Sequence, residues 1–205
     1  MIKIPESVSK RLSGIFFYVT NAMTQSYIFS YNESEKGNDR GHIVMPKEAK
    51  YDRNAVVAYA QKWALKRNPR YVDYSKMGGD CTNFASQCIF AGSKVMNYTR
   101  TMGWYYNSGS DRTPSWTGVT YLYNFLVKNR SVGPYAIETD QDGVETGDIV
   151  QLGNQSGYYH SPVIVEIKDG RIYVATHTFD VYRKPLDTYV YQKARFVHIQ
   201  GVRKW

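Results

Sequence analysis

A cysteine stands where a glycine turn gives way to a helix, in Gly78-Gly79-Asp80-Cys81-Thr82-Asn83-Phe84-Ala85-Ser86-Gln87-Cys88. The two glycines permit backbone conformations that other residues resist, and Asp80 is of a type suited to an N-cap. From Phe84 on, apolar residues recur with helical spacing at Ala85, Cys88 and Ile89, which sets Cys81 in the first turn. Unpaired amide groups and the positive end of the helix dipole gather there, a setting that favours thiolate over thiol. The thiolate is the nucleophile of cysteine chemistry. Cys88, among Phe84, Ala85 and Ile89, reads as core.

A thiol nucleophile needs a base, and the base needs a group to orient it. Of four histidines, His160 stands where a Gly/Tyr-rich stretch containing Tyr159 enters a strand. His177 ends the opposing strand of a hairpin that turns at Lys168-Asp169-Gly170. The two hairpin ends meet, so His177, or nearby Asp180, is expected to hold the His160 ring toward sulfur. His198, inside a strand beside Val197 and Ile199, reads as structural. Cys81, His160 and His177 are also zinc-ligand types, but no second ligand sits at close metal spacing, so no metal or other cofactor is expected.

The elements that must position these residues follow two periods. Asp52 or Asn54 caps a helix with an apolar stripe of Val56, Tyr59, Ala60, Trp63 and Ala64; Lys66 and Arg67 suit its end, and Pro69 stops it. The cysteine helix closes near Gly92. Trp104-Tyr105-Tyr106 and Ser115-Trp116-Thr117-Gly118 flank a polar loop, and a helix over 119–129 turns Leu122, Phe125 and Leu126 inward. Strands follow at 148–152, 161–167, 171–176 and 194–199. Helices first and an antiparallel sheet after give an α+β fold. Residues 1–47, with strand-like stretches at 15–18 and 27–31, a polar loop at 32–41 and then His42, read as an N-terminal extension before a domain at 48–205.

Composition narrows the function. The net charge of +8 comes from scattered Lys and Arg without a basic run, which gives nucleic-acid binding little support. A diffuse positive field suits an anionic polymer such as a bacterial wall. Nineteen tyrosines suit amphipathic, sugar-like or peptide-like ligands where they are not simply filling strands. The apolar run at 14–19 is too short to span a bilayer, so no integral membrane segment is expected. It faintly imitates a signal peptide without a clean cleavage site. An extracellular or wall location follows if an export signal was removed, and a cytoplasmic one otherwise. Cys81 and Cys88 on one helix lie roughly 10 Å apart, beyond disulfide reach. A monomer is the default expectation.

Several motifs agree in order and spacing with one family. Tyr51-Asp52-Arg53-Asn54-Ala55, Tyr59-Ala60, Trp63-Ala64-Leu65, Arg67-Asn68-Pro69, the Gly78–Cys88 stretch, Trp104-Tyr105-Tyr106, Ser115-Trp116-Thr117-Gly118, Gly147-Asp148-Ile149 and His160-Ser161 closely resemble the bacterial Putative amidase domain family. The resemblance covers roughly residues 50 to 200. It implies kinship with the NlpC-like and CHAP-type papain-fold hydrolases, many of which cut peptide bonds in bacterial walls. It further implies Cys81 as nucleophile, His160 as general base, and a third polar residue on the strand after that histidine, for which His177 and then Asp180 are the candidates.

The expected chemistry is two-step amide hydrolysis through a thioester, acting on peptidoglycan or another peptide. Backbone amides around Cys81 stabilise the oxyanion. Asp80, Thr82, Trp104, Tyr105, Trp116 and Tyr159 are the expected substrate-binding residues, with Thr82 and Asn83 shaping the turn and core packing weighed beside a groove role for the two tryptophans. Three alternatives stand beside this reading: acyl transfer to a second amine by the same constellation, a non-catalytic wall-binding module, and a structural protein with an inert cysteine.

Overall fold

Residues 45–205 are described by a computed structural model. The strand-like stretches, loop and His42 read in the first 44 residues lie outside the described residues. A short strand β1 (Lys47–Ala49) precedes helices α1 (Arg53–Trp63), α2 (Cys81–Ser93), α3 (Pro114–Thr117) and α4 (Val119–Lys128). Then come β2 (Gly133–Thr139), β3 (Ile149–Asn154), β4 (Gly157–His160), β5 (Val163–Lys168), β6 (Arg171–Thr176), β7 (Val181–Pro185) and β8 (Lys193–Lys204). The result is a mixed α/β fold on one antiparallel sheet.

The sheet runs β1-β8-β3-β5-β6-β7, with β2 added on β8 and β4 on β3. At twelve residues β8 is the longest strand, and it pairs with β1, β2 and β3. Both faces are covered. Ile149, Val163, Val165, Ala175, Val197 and Ile199 pack toward the helices, while Val150, Leu152, Ile164, Ile172 and Val174 pack with Leu186 in a second cluster. A sheet buried on both faces has strands that read as continuous apolar runs rather than alternating ones, as Ile149-Val150 and Val163-Ile164-Val165 do.

Against the sheet lies α2, with every residue buried except Phe90. Its partner α1 begins with Asp52, whose carboxylate accepts the Ala55 amide 3.0 Å away, and buries Val56 and Ala60. The helix ends at Trp63, earlier than the Lys66-Arg67 signal suggests. Arg67 instead reaches across to Asp180, with Nη1 and Nη2 at 2.7 and 3.0 Å from the two carboxylate oxygens. The crossing of α1 and α2 depends on Gly92. A Cβ there would stand 2.6 Å from Val56 Cγ2 and 2.8 Å from the Asp52 carbonyl oxygen. Gly92→Ala is therefore expected to push the helices apart and cost about 1–3 kcal/mol, read from the denaturant midpoint.

Trp104 and Trp116 belong to this core. Both are fully buried, with ring centroids 4.9 Å apart. Their indole N–H groups donate to Ser86 Oγ at 3.0 Å and Asn83 Oδ1 at 2.9 Å. The expectation that they wall a substrate groove is corrected here: two indoles with satisfied N–H groups bury more apolar surface against α2 than a groove would allow.

Candidate active site

Gly78 and Gly79 carry φ values of 99° and 111°, conformations that side chains resist, and they deliver the chain into α2 at Cys81. Asp80 holds the N-cap position, yet its carboxylate makes no capping bond to the helix amides. It accepts instead from the Tyr74 amide at 2.9 Å, from Asn83 Nδ2 at 2.8 Å and from His177 Nδ1 at 2.5 Å. The first turn of α2 is thus left without a side-chain cap beside the cysteine.

Cys81 Sγ sits 4.0 Å from the Tyr159 carbonyl oxygen and 3.8 Å from Thr82 Oγ1. The Ser161 backbone amide also donates toward it. The thiol therefore rests on the chain immediately before and after His160. Thr82 Oγ1 continues this seam by donating to Ser161 Oγ at 3.3 Å. Cys81 is 7% exposed and His160 8%. Burial is the largest influence on the thiol and raises it above its ordinary value, outweighing the Ser161 and Thr82 hydrogen bonds that lower it. The expected standing thiolate gives way to a neutral thiol at rest. Burial also brings His160 down to about 4, with the positive charge of Lys184 adding to the effect. At neutral pH the ring is an unprotonated base.

The third-group expectation meets a different geometry. β5 and β6 do form the hairpin, closed by Asp169 and Gly170 at φ 52° and 73°, a type I′ signature. The His177 ring, however, faces the helices. It stacks on Phe84 at 4.1 Å, and its Nε2 lies 2.9 Å from the Trp63 carbonyl oxygen. The nearest aromatic partner of His160 is Tyr189, at 6.1 Å between centroids, a residue packed against the cluster on the other face of the sheet. Register explains the divergence. Ser161-Pro162 interrupts the strand, and bulges shift both the β3–β4 and β5–β6 pairings, so counting along an ideal hairpin misassigns the faces. Asp180 is held by Arg67 rather than by His160. The 178–180 turn is still close to the site, because the Asp80 amide donates to Thr178 Oγ1 at 2.9 Å. Thr178 and Phe179 are both left-handed, and Phe179 is 90% exposed.

Among the remaining expected binding residues, Asp80 and Thr82 are buried, Tyr105 stacks on Tyr98 at 5.0 Å, and Tyr159 is 48% exposed with its hydroxyl donating to the Val190 carbonyl. His198 is structural as read: its Nδ1 lies 2.8 Å from Asp148 Oδ2, in a cluster where Arg53 Nη1 donates to the other carboxylate oxygen at 2.6 Å. Both cysteines are free thiols, and Cys88 is core. Sequence reasoning missed Gln151. It is fully buried, donates to Ser161 Oγ at 3.0 Å and accepts from Arg195 Nε at 2.8 Å, while the Arg195 guanidinium lies 3.5 Å from the Tyr123 ring centroid and 4.0 Å from that of Tyr158. A lone amide inside the apolar strand Ile149-Val150-Gln151-Leu152 was the available signal.

Among the described residues no group of three or more His, Cys, Asp or Glu side chains could hold a metal, and no helix is long and apolar enough to cross a membrane. The family model of the Putative amidase domain matches residues 50–200, a span that contains Cys81, His160, His177 and Asp148. The chain belongs to this family. Two proteins of Bacillus subtilis (strain 168) are similar to it. Uncharacterized protein YhbB is 29% identical over 159 residues, covering 75% of this chain and 48% of the relative. Uncharacterized protein YjcM is 24% identical over 162 residues, covering 75% and 37%. The chain thus spans about half the length of the first relative and less of the second. No solved structure matches.

Proposed function

We propose that residues 48–205 form a cysteine-dependent amide hydrolase of papain-like plan, related to the NlpC-like and CHAP-type enzymes, whose substrate is a peptide of the bacterial wall. One observation carries this reading: Cys81 opens a helix without a side-chain cap, and its thiol is seated on the backbone either side of His160. On attack, His160 takes the thiol proton as sulfur bonds to the carbonyl carbon. The carbonyl electrons move to oxygen, where amides of the first turn of α2 stabilise the charge. His160 then gives its proton to the leaving amine as the C–N bond breaks, leaving a thioester. Water adds to the thioester with His160 again as base, releasing a carboxylic acid and the thiol. Since both groups are neutral at rest, the proton moves as the sulfur attacks rather than before.

The near-complete burial of Cys81 favours one second reading, acyl transfer, because a thioester shielded from water survives until an amine arrives. One experiment separates these readings. Wild type and Cys81→Ala are incubated with defined wall muropeptides, and the products are read by mass spectrometry. Hydrolysis splits a muropeptide with a net gain of one water, in wild type only. Transfer gives a crosslinked product without that gain. Unchanged masses with both proteins would overturn the wall substrate, and a Cys81 that also resists alkylation would overturn the nucleophile in favour of a binding module.

A further inference from the structure

The buried polar side chains behind Cys81 form one connected line that the proposed reaction leaves unused. It starts at Arg195 on β8, which is 9% exposed. Among the described residues no carboxylate pairs with this guanidinium, which lies against the Tyr123 and Tyr158 rings. Its Nε and Nη2 both donate to Gln151 Oε1, at 2.8 and 2.5 Å. Gln151 Nε2 in turn donates to the Val119 carbonyl at 2.9 Å and to Ser161 Oγ at 3.0 Å. Ser161 Oγ also accepts from Thr82 Oγ1 at 3.3 Å, and Thr82 Oγ1 is 3.8 Å from Cys81 Sγ. Gln151, Ser161 and Thr82 are all buried, so solvent does not compete for these bonds.

Chemistry fixes the direction of the inner links. A guanidinium only donates and a carbonyl only accepts, so the Gln151 amide cannot turn over. Ser161 therefore always receives an N–H from Gln151, which leaves its own hydrogen unclaimed. Thr82 is the reversible member. At rest its hydroxyl donates to Ser161, and the thiol has Thr82 Oγ1 and the Tyr159 carbonyl, 4.0 Å away, as acceptors. A thiolate gains nothing from the Tyr159 carbonyl, which offers no hydrogen. Rotation about two C–O bonds reverses the line, so that Ser161 donates to Thr82 and Thr82 donates to the sulfur anion. No proton leaves its oxygen.

We propose that Gln151, held by Arg195, is a positioning residue that acts through Ser161 and Thr82, readying the Thr82 hydroxyl to meet the charge on sulfur as Cys81 attacks. This rests on the reading of Cys81 as nucleophile. A hydrogen bond to an ionised sulfur is stronger than one to a neutral thiol, so the line favours the attacking form over the resting one. The cation at its far end has the sign that suits developing negative charge. A role at the nucleophile also explains why a buried cation faces a neutral amide, an arrangement that an apolar pair would replace at a gain in stability.

The pH profile of Cys81 alkylation by iodoacetamide, read by site-resolved mass spectrometry, tests this relay. Losing a hydrogen bond to the thiolate moves the midpoint, whereas loosened packing changes the plateau at high pH. The other titratable groups at the site stay in place throughout: Asp80, whose charge raises the thiol, and His160, neutral above about 4. Thr82→Val is expected to raise the midpoint by about one pH unit, a tenfold smaller thiolate fraction at pH 7, and Thr82→Ser should restore it. Gln151→Glu turns an acceptor toward Ser161, which must then spend its hydrogen on the carboxylate and locks the line in its resting direction. The added charge acts in any background, but the locking acts only through Thr82. Gln151→Glu should therefore lower the thiolate fraction roughly three- to tenfold further in wild type than in Thr82→Val. Gln151→Met removes the donor without adding charge and supplies the same comparison. Equal shifts in the two backgrounds, or a Thr82→Val midpoint equal to that of wild type, would overturn the relay and leave the nucleophile standing. A wild-type Cys81 that stays unalkylated at every pH would overturn the nucleophile and this inference with it.

Discussion

Asp80→Ala is expected to destabilise the protein by about 2–6 kcal/mol, since it strips a buried amide and a buried imidazole of their acceptor at about 1–3 kcal/mol each. The carboxylate is fully buried, and three donors converge on it from different parts of the chain: the Tyr74 amide, Asn83 Nδ2 and His177 Nδ1. Arg67 Nε adds a guanidinium 3.5 Å away. Alanine would leave the amide and the imidazole N–H buried without an acceptor, which costs more than the bonds themselves contribute. Asp80→Asn keeps one carbonyl oxygen for two of the donors and should lose roughly half as much. The effect also bears on function, because Asp80 precedes Cys81 and ties the cysteine turn to β6 through His177. Urea unfolding of the two variants, with His177→Gln and the double variant, measures the link. Coupling between positions 80 and 177 of about 0.5–3 kcal/mol is expected; additive losses would show that the two side chains act separately.

That link explains what could and could not be read from the chain. The elements legible in sequence are those specified by neighbours. The double glycine before Cys81 announces a turn, and the type I′ hairpin follows from Asp169-Gly170 between two apolar runs. The buried stripe of α4, Leu122, Phe125 and Leu126, follows from helical spacing alone. What local pattern does not carry is pairing at a distance. Asp80 has the residue type of an N-cap, but a buried imidazole 97 residues away and a loop amide take its oxygens. His177 sits where a hairpin count puts an orienting group, but bulges and the Ser161-Pro162 interruption turn it toward Phe84. Strand β7 gives no alternation, since its Arg183 is left-handed and its Lys184 is spent on Tyr189. Strand β2 opens with Gly133-Pro134, a loop signal, and is strand only because β8 pairs with it along its length.

His160 gives the second large effect, through pH. The native ring binds a proton only near pH 4, whereas in the unfolded chain it does so near 6.5. Between those values the unfolded state holds the extra proton, so stability rises with pH across the window. The contribution is fully present above 6.5 and is lost as pH falls to 4. At about 1.4 kcal/mol per pH unit this one ring accounts for roughly 3 kcal/mol. Equilibrium unfolding of wild type should therefore steepen between pH 6.5 and 4. His160→Gln, neutral throughout, should remove that part of the slope. If the slope survives the substitution, the imidazole is not the buried neutral group described here. The same protonation sets the acid limb of the proposed reaction. kcat/KM for an amide substrate is expected to fall below about pH 4 to 5 rather than near 6.5, because the base stays free until then. An acid limb near 6.5 would mean that the ring leaves Tyr189 and reaches solvent before it meets the thiol.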